Sequence, residues 1–255
     1  MRIDHIYRFP VKGLSAEALE EVTLSVGQML PHDREFALAQ GDAAFDPAAP
    51  AWLHKRNFGC LQANARLALL HSSYDPRAGR LLVHAPDGAT LDESVRTDAG
   101  RAAIAAWLAA FMGEEARGTP RFVAAGDHRF SDSPEKFVSL INHASIAALE
   151  AKMGTALDPL RFRANLYFNG APAWAEFDWI GRRLEVGGAT LAVVARIDRC
   201  AATTVNPVTA ERDAQVPKAL SVHFGHIDLG VFARVVAAGR VAVGDAITLR
   251  GDDEA

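Results

Sequence analysis

Gly187 and Gly188 stand side by side between two apolar runs, residues 184–186 and 189–194, and this leaves the second half of the chain few ways to fold. Two residues free to take positive φ between half-buried strands predict a tight hairpin. Val241 and Val243 with Ile247 and Leu249, arranged around Gly244-Asp245, predict another, so the carboxyl half reads as a strand meander or barrel. Upstream, residues 18–26 alternate, with Val22, Leu24 and Val26 on one side and Thr23 and Ser25 on the other, until Gly27 breaks the pattern. Residues 67–70 and 81–83, separated by a turn-rich stretch from Tyr74 to Gly79, predict a hairpin in the first half. Helical periods are rarer. Ile104, Trp107, Leu108 and Phe111 recur at helix spacing between Asp98, a candidate N-cap, and Gly113. Ile146, Leu149 and Met153 do the same between Asn142 and Gly154.

The fold class is therefore a β-rich α+β one with a few helices. The polar stretch 113–120 marks a boundary, dividing the chain into residues 1–118 and 119–255. At 255 residues, with hydrophobic residues at 49% and charged residues at 23%, each part can bury a core. The net charge of −4 supplies no broad positive field for a phosphate backbone, which argues against a nucleic-acid partner. The amino terminus lacks the apolar core of a signal peptide, and no run of about 18 apolar residues occurs, so no membrane association and a cytoplasmic location are expected. Two cysteines, Cys60 and Cys200, are too few for a disulfide framework or for an iron–sulfur cluster held by four thiolates.

Cys200 follows Arg199 where a strand is expected to enter a turn. A neighbouring guanidinium favours the thiolate, the form that attacks electrophiles or binds a soft metal, while a lone cysteine also serves as a small buried hydrophobe. Residues 161–168 read as a strand with Phe162, Ala164, Leu166 and Phe168 on one face, which would place Arg161, Arg163 and Asn165 together on the other, either solvated or facing an anion. His223, His226 and Asp228 could approach a metal, although Gly225 interrupts any helix that would align the histidines; ordinary loop histidines fit as well. Cys60 has apolar neighbours and reads as packing. Trp174 and Trp179 could cap the core or rim a pocket, and Glu176 or Asp178 could orient a water or a cofactor. No Walker or dinucleotide glycine loop is present.

Residues 161–168, the run Ala173-Trp174-Ala175-Glu176-Phe177-Asp178-Trp179, and Arg199-Cys200 followed by Thr203-Thr204-Val205-Asn206-Pro207 together resemble the MOSC domain family. Residues 6–13 and 33–38 resemble the β-barrel domain that precedes MOSC in the mitochondrial amidoxime-reducing component and its bacterial relatives. The resemblance implies an N-terminal β-barrel-like domain and a MOSC β-barrel with the molybdenum cofactor (Mo-molybdopterin) in the cleft between them. It assigns Cys200 as the metal ligand and catalytic residue. Lys12, Arg34, Arg161, Arg163, Asn165 and Arg199 would seat the pterin phosphate, with Asn142 and Ser145 nearby. Three departures from the family pattern stand out: Gly13 where many relatives have serine, with Ser15 a possible substitute; Val208-Thr209-Ala210 where Asp-Thr-Gly is frequent; and Ala164 where proline is common.

The function the resemblance implies is a molybdenum-cofactor oxidoreductase reducing N-hydroxylated or N-oxide small-molecule substrates. Electrons would come from a separate reductase or small electron carrier. The alternative is a sulfur carrier holding a persulfide on Cys200, because members of the wider family are fused to a pyridoxal-phosphate cysteine desulfurase. A third reading is a module that binds the cofactor without turnover.

Overall fold

The alternating runs of the second half fold into one curled sheet that also recruits strands from the first. The computed structural model describes residues 1–250, so the end of the 119–255 division, residues 251–255, lies outside the described residues. The first half carries β1 (Arg2–Arg8), β2 (Glu17–Leu19), β3 (Glu21–Leu24), β4 (Phe36–Ala39), β5 (His71–Asp75), β6 (Arg80–His84) and β7 (Thr90–Ser94), then helix α1 (Asp98–Met112). After β8 (Arg121–Ala124) come β9 (Val138–Asn142), α2 (His143–Met153), β10 (Leu166–Asn169), β11 (Arg183–Val186), β12 (Ala189–Asp198), α3 (Val216–Phe224), β13 (Asp228–Ala237), β14 (Gly239–Ala242) and β15 (Ile247–Leu249). The fold is a β-rich α+β one with a half-barrel of eight strands in the order β15-β11-β12-β13-β9-β10-β1-β2, plus three small sheets. No described helix is long and apolar enough to cross a membrane.

Leu191 and Val193 of β12, with Val231, Ala233 and Val235 of β13, alternate along their strands and close the barrel core against Ile3, Ile6 and Trp179. A second core forms where α1 lays Ile104 and Leu108 on Leu81, Val83 and Phe122. The N-cap of α1 is Thr97, whose side chain accepts from the Gly100 amide, one position before the expected Asp98; Gly113 ends the helix at φ +60°. Asn142 caps α2 and Gly154 closes it, as the sequence predicts. The hairpin of β11 and β12 around Gly187-Gly188 also forms as expected.

Four expectations are corrected. Residues 18–26 are not one strand: the chain breaks at Glu20, β2 pairing with β1 and β3 with β14, and Val26 is exposed. Leu67 and Leu70 are three apart and both buried, which fits a helical turn, and residues 65–69 form one; the hairpin partner of β6 is β5 instead. Residues 161–168 do not form a single strand. Pro159 and the Asp158 side chain, which accepts from the Leu160 amide, start a 3-10 turn over 159–162; Arg163 closes it in the left-handed region, and extension begins only at Leu166. The segments around Gly244 do not pair with each other. The turn, with Gly244 at φ +88°, passes the chain from β14, paired with β3, to β15, paired with β11.

Candidate functional site

Arg34 and Arg163 are far apart in sequence, yet both adopt left-handed backbone, at φ +49° and +52°. Such conformations are unfavourable for non-glycine residues and persist only where the surroundings enforce them. Here they bring two guanidiniums to one ring: the Arg34 and Arg163 Cζ atoms lie 4.5 and 4.3 Å from the centroid of Phe9. Arg34 Nη2 donates to the Arg163 carbonyl at 2.7 Å, and Arg163 Nη1 donates to the Leu14 carbonyl at 2.7 Å. The fully buried Asp33 accepts from the Phe9 amide at 2.7 Å and from Arg34. Burial, reinforced by the Arg34 cation, pushes Arg163 down to about 9, so it remains charged at neutral pH.

These arginines line a cleft of about 440 Å³ between residues of the two halves, together with Lys12, Arg161, Asn165, Arg199 and Cys200. Cys200 lies two residues beyond β12, partly exposed, and its carbonyl accepts from the Thr203 amide and hydroxyl. Arg199 turns away from the sulfur into the protein, donating to the Phe162 carbonyl at 2.9 Å and through Nε to the Leu229 carbonyl at 2.8 Å. Burial pushes it down to about 10, with Tyr167 and Cys200 opposing that shift. Arg161 donates to the Thr204 carbonyl and to Asp213, and its buried Nε has no hydrogen-bond partner. Asn165 accepts from the Ser139 amide and hydroxyl and donates to the Tyr7 carbonyl, joining β9 to β1 at the cleft floor.

The structure places Asn142 and Ser145 elsewhere. Neither lines the cleft. Asn142 donates to the Pro172 carbonyl at 2.7 Å, and the Ser145 hydroxyl donates to the fully buried Glu176 at 2.7 Å. Burial raises the Glu176 carboxyl above its usual range, and these hydrogen bonds offset part of the rise. Glu176 is thus a packing group of the barrel rather than a cleft residue, and Asp178 also lies outside the cleft. His223 and His226 do not converge; His226 stands edge-on to Trp174 and Phe177 and accepts from the Asp228 amide.

Two of the three departures from the family pattern, Gly13 and Ala164, have local explanations; nothing in the structure explains alanine at position 210. Gly13 sits at φ +87°, and a Cβ there would come 2.9 Å from the Gly59 carbonyl oxygen, so a serine does not fit this backbone. Ser15 does not replace it, because its hydroxyl is engaged with Ser72. Ala210 takes φ +59°, the conformation that favours glycine. The Ala164 amide donates to the Tyr167 hydroxyl at 3.2 Å, a bond that proline would remove.

Sequence reasoning missed Lys55 and Asp132, which lie in stretches with no periodic signal. Lys12, itself buried, donates to the Phe130 carbonyl at 2.9 Å and to Asp132. Lys55 approaches both Asp132 and the Cys200 sulfur. Burial would lower its ammonium, but Asp132 and Cys200 outweigh that and hold it above the usual lysine range. Desolvation would raise the carboxyl of Asp132, whose side chain is about half exposed, but Lys12, with Lys55 and Arg34 behind it, holds it at about 2. Cys60 is buried, as the sequence suggests, and also contributes to the cleft wall. Across the lining, six lysine and arginine side chains face three carboxylates.

Residues 127–248 match the family described as MOSC domain, and residues 1–118 match the MOSC N-terminal beta barrel domain. Among solved structures, the YuaD protein from Bacillus subtilis is 16% identical with a TM-score of 0.47, over 97% of this chain and 94% of that one. YiiM from Geobacillus stearothermophilus is 19% identical with a TM-score of 0.36, and YiiM from Escherichia coli 17% identical with a TM-score of 0.35. Both YiiM matches cover 45% of this chain, which spans about half (54%) of theirs. No curated protein matches the chain.

Proposed function

Because the chain belongs to the MOSC domain family, with the MOSC N-terminal beta barrel domain ahead of it, we propose that it binds the molybdenum cofactor in the cleft and reduces N-hydroxylated or N-oxide small molecules with electrons from a separate donor protein. The observation that carries this reading is the strained arginine pair. Arg34 and Arg163 are held near each other with one fully buried carboxylate beside them, Asp33, which accepts from Arg34 and from the Phe9 amide, and such an excess of positive charge calls for an anion. The unpartnered Nε of Arg161 adds a donor without an acceptor on the same wall. A pterin phosphate suits these groups, and a soft, thiol-bound metal suits Cys200.

When bound, the cofactor would supply two-electron redox chemistry at molybdenum. The chain's own part is electrostatic and positional. Cys200, with the Lys55 ammonium beside it, offers a soft sulfur ligand at the cleft. Arg199 locks the backbone that presents Cys200 by gripping two carbonyls from neighbouring segments. Arg34 and Arg163 would neutralise the phosphate, and Trp52 and Lys55 bring the first half into the same lining as the sulfur. With only Cys60 and Cys200, the chain cannot hold a four-thiolate iron–sulfur cluster, which supports a separate electron donor.

The test is molybdenum and pterin content of wild type and Cys200→Ser, both made in a host that synthesises the cofactor. Stoichiometric metal and pterin in wild type, metal lost in the variant, and benzamidoxime reduction by the loaded wild type with an artificial donor are the expected results. Protein free of both metal and pterin overturns the reading. Cys200 heavier by one sulfur atom after incubation with a cysteine desulfurase would then favour the sulfur carrier.

A further inference from the structure

Successive side chains on a strand point to opposite faces, yet Asp4 and His5, adjacent on β1, reach the same place. The register explains it. Ile3 pairs with Phe168 and His5 with Tyr167, so Asp4 is an extra residue on β1 opposite none on β10. A bulge of this kind re-aims side chains. His143, the first residue of α2, meets them there: a single carboxylate oxygen, Asp4 Oδ2, lies 3.1 Å from His143 Nε2 and 3.2 Å from His5 Nε2. All three ligand atoms fall within 4.8 Å of one another.

We propose that Asp4, His5 and His143 form a binding site for a borderline divalent cation such as Zn²⁺, separate from the cleft. None of the three lines the cleft. Four ligands at roughly 2.0–2.1 Å around a tetrahedral Zn²⁺ stand about 3.3 Å from each other, close to the spacing between the carboxylate oxygen and each imidazole nitrogen. His143 Nε2 is buried and makes no hydrogen bond, although Asp4 Oδ2 is only 3.1 Å away, so the nitrogen is placed beside the carboxylate without the alignment an N–H donor needs. A lone pair directed at a shared cation accounts for that arrangement.

Two imidazoles and one carboxylate select first-row divalent metals over Mg²⁺ or Ca²⁺, whose ligand sets are oxygen-rich. The positive end of α2 disfavours a cation at His143, and the Asp4 carboxylate counters it. His5 and Asp4 are half open to solvent, which leaves room for water to complete the coordination. The ring of His143 packs on Tyr167, and His5 on Tyr7, so ring contacts hold both imidazoles in place. A bound ion would pin β1 to the start of α2 and raise stability with the logarithm of its free concentration over Kd.

Equilibrium dialysis with Zn²⁺ and visible spectroscopy with Co²⁺, on wild type, Cys200→Ser, His5→Ala and His143→Gln, test this. Wild type and Cys200→Ser should bind one ion per chain alike, with intense Co²⁺ d–d bands of low coordination number and a Zn²⁺-dependent rise in Tm. His5→Ala, at a half-exposed position with little packing to lose, should weaken binding by about tenfold or more and remove the Tm rise; His143→Gln should behave likewise. Unchanged affinity in His5→Ala, binding lost only in Cys200→Ser, or no binding by wild type would each overturn the proposal.

Discussion

Arg34, Arg163 and Gly13 each sit at positive φ around the cleft, and only the glycine does so without strain. Its freedom is needed twice, for the φ of +87° and for the approach of the Gly59 carbonyl. Gly13→Ala should therefore cost about 1–3 kcal/mol, read as a lower Tm with unchanged secondary structure. An unaltered Tm would show that the backbone at Lys12 relaxes freely. At this scale much of the candidate site was legible, because Lys12, Arg34, Arg163 and Cys200 stand out by residue type and by family resemblance. Their conformation was not. A pattern of alternating polar and apolar residues cannot show that Arg163 turns left-handed, so Arg161, Arg163 and Asn165 reach the cleft through a 3-10 turn and a loop rather than along one strand face.

Elements closed by local chemistry were readable, and those defined by distant partners were not. The caps Asn142 and Gly154 bound α2, and Gly187-Gly188 forms its hairpin, because each signal lies within a few residues. β14 and β15 look like two arms of a hairpin, yet find β3 and β11, strands far away in sequence whose apolar faces complete two different sheets. The end of β12 depends likewise on remote groups. Arg199, buried, joins it to the Phe162 carbonyl and to the Leu229 carbonyl at the start of β13. Lysine keeps the charge but not the fork, so Arg199→Lys should lower stability by about 2–3 kcal/mol in urea unfolding and loosen Cys200. Equal midpoints for the two proteins would mean that the carbonyls find other donors.

Across the whole molecule, Lys12 and Lys55 from the first half meet Asp132 from the second at the cleft mouth. The Asp132 carboxyl is depressed from 3.8 to about 2 in the folded protein, so its contribution to stability is complete above about pH 4 and disappears as the pH falls through 2. The Tm difference between wild type and Asp132→Asn should be full at neutral pH and close over that interval. A difference that persists below pH 2 would assign the effect to something other than this ion pairing. Asp132 was invisible to sequence reasoning for the same reason: its partners lie about 120 and 77 residues away.

The position of β1 inside the eight-stranded sheet, between β10 and β2, also sets the order of events during synthesis. Ile3 must wait for Phe168 and Ile6 for Leu166. At about 5–20 residues per second, the ribosome delivers β10 roughly 8–30 s after β1, and through that interval one edge of β1 is unpaired. The nascent first half is thus exposed to chaperones and to wrong partners until the second half emerges, because the pairing of β1 with β10 joins residues separated by well over half the chain.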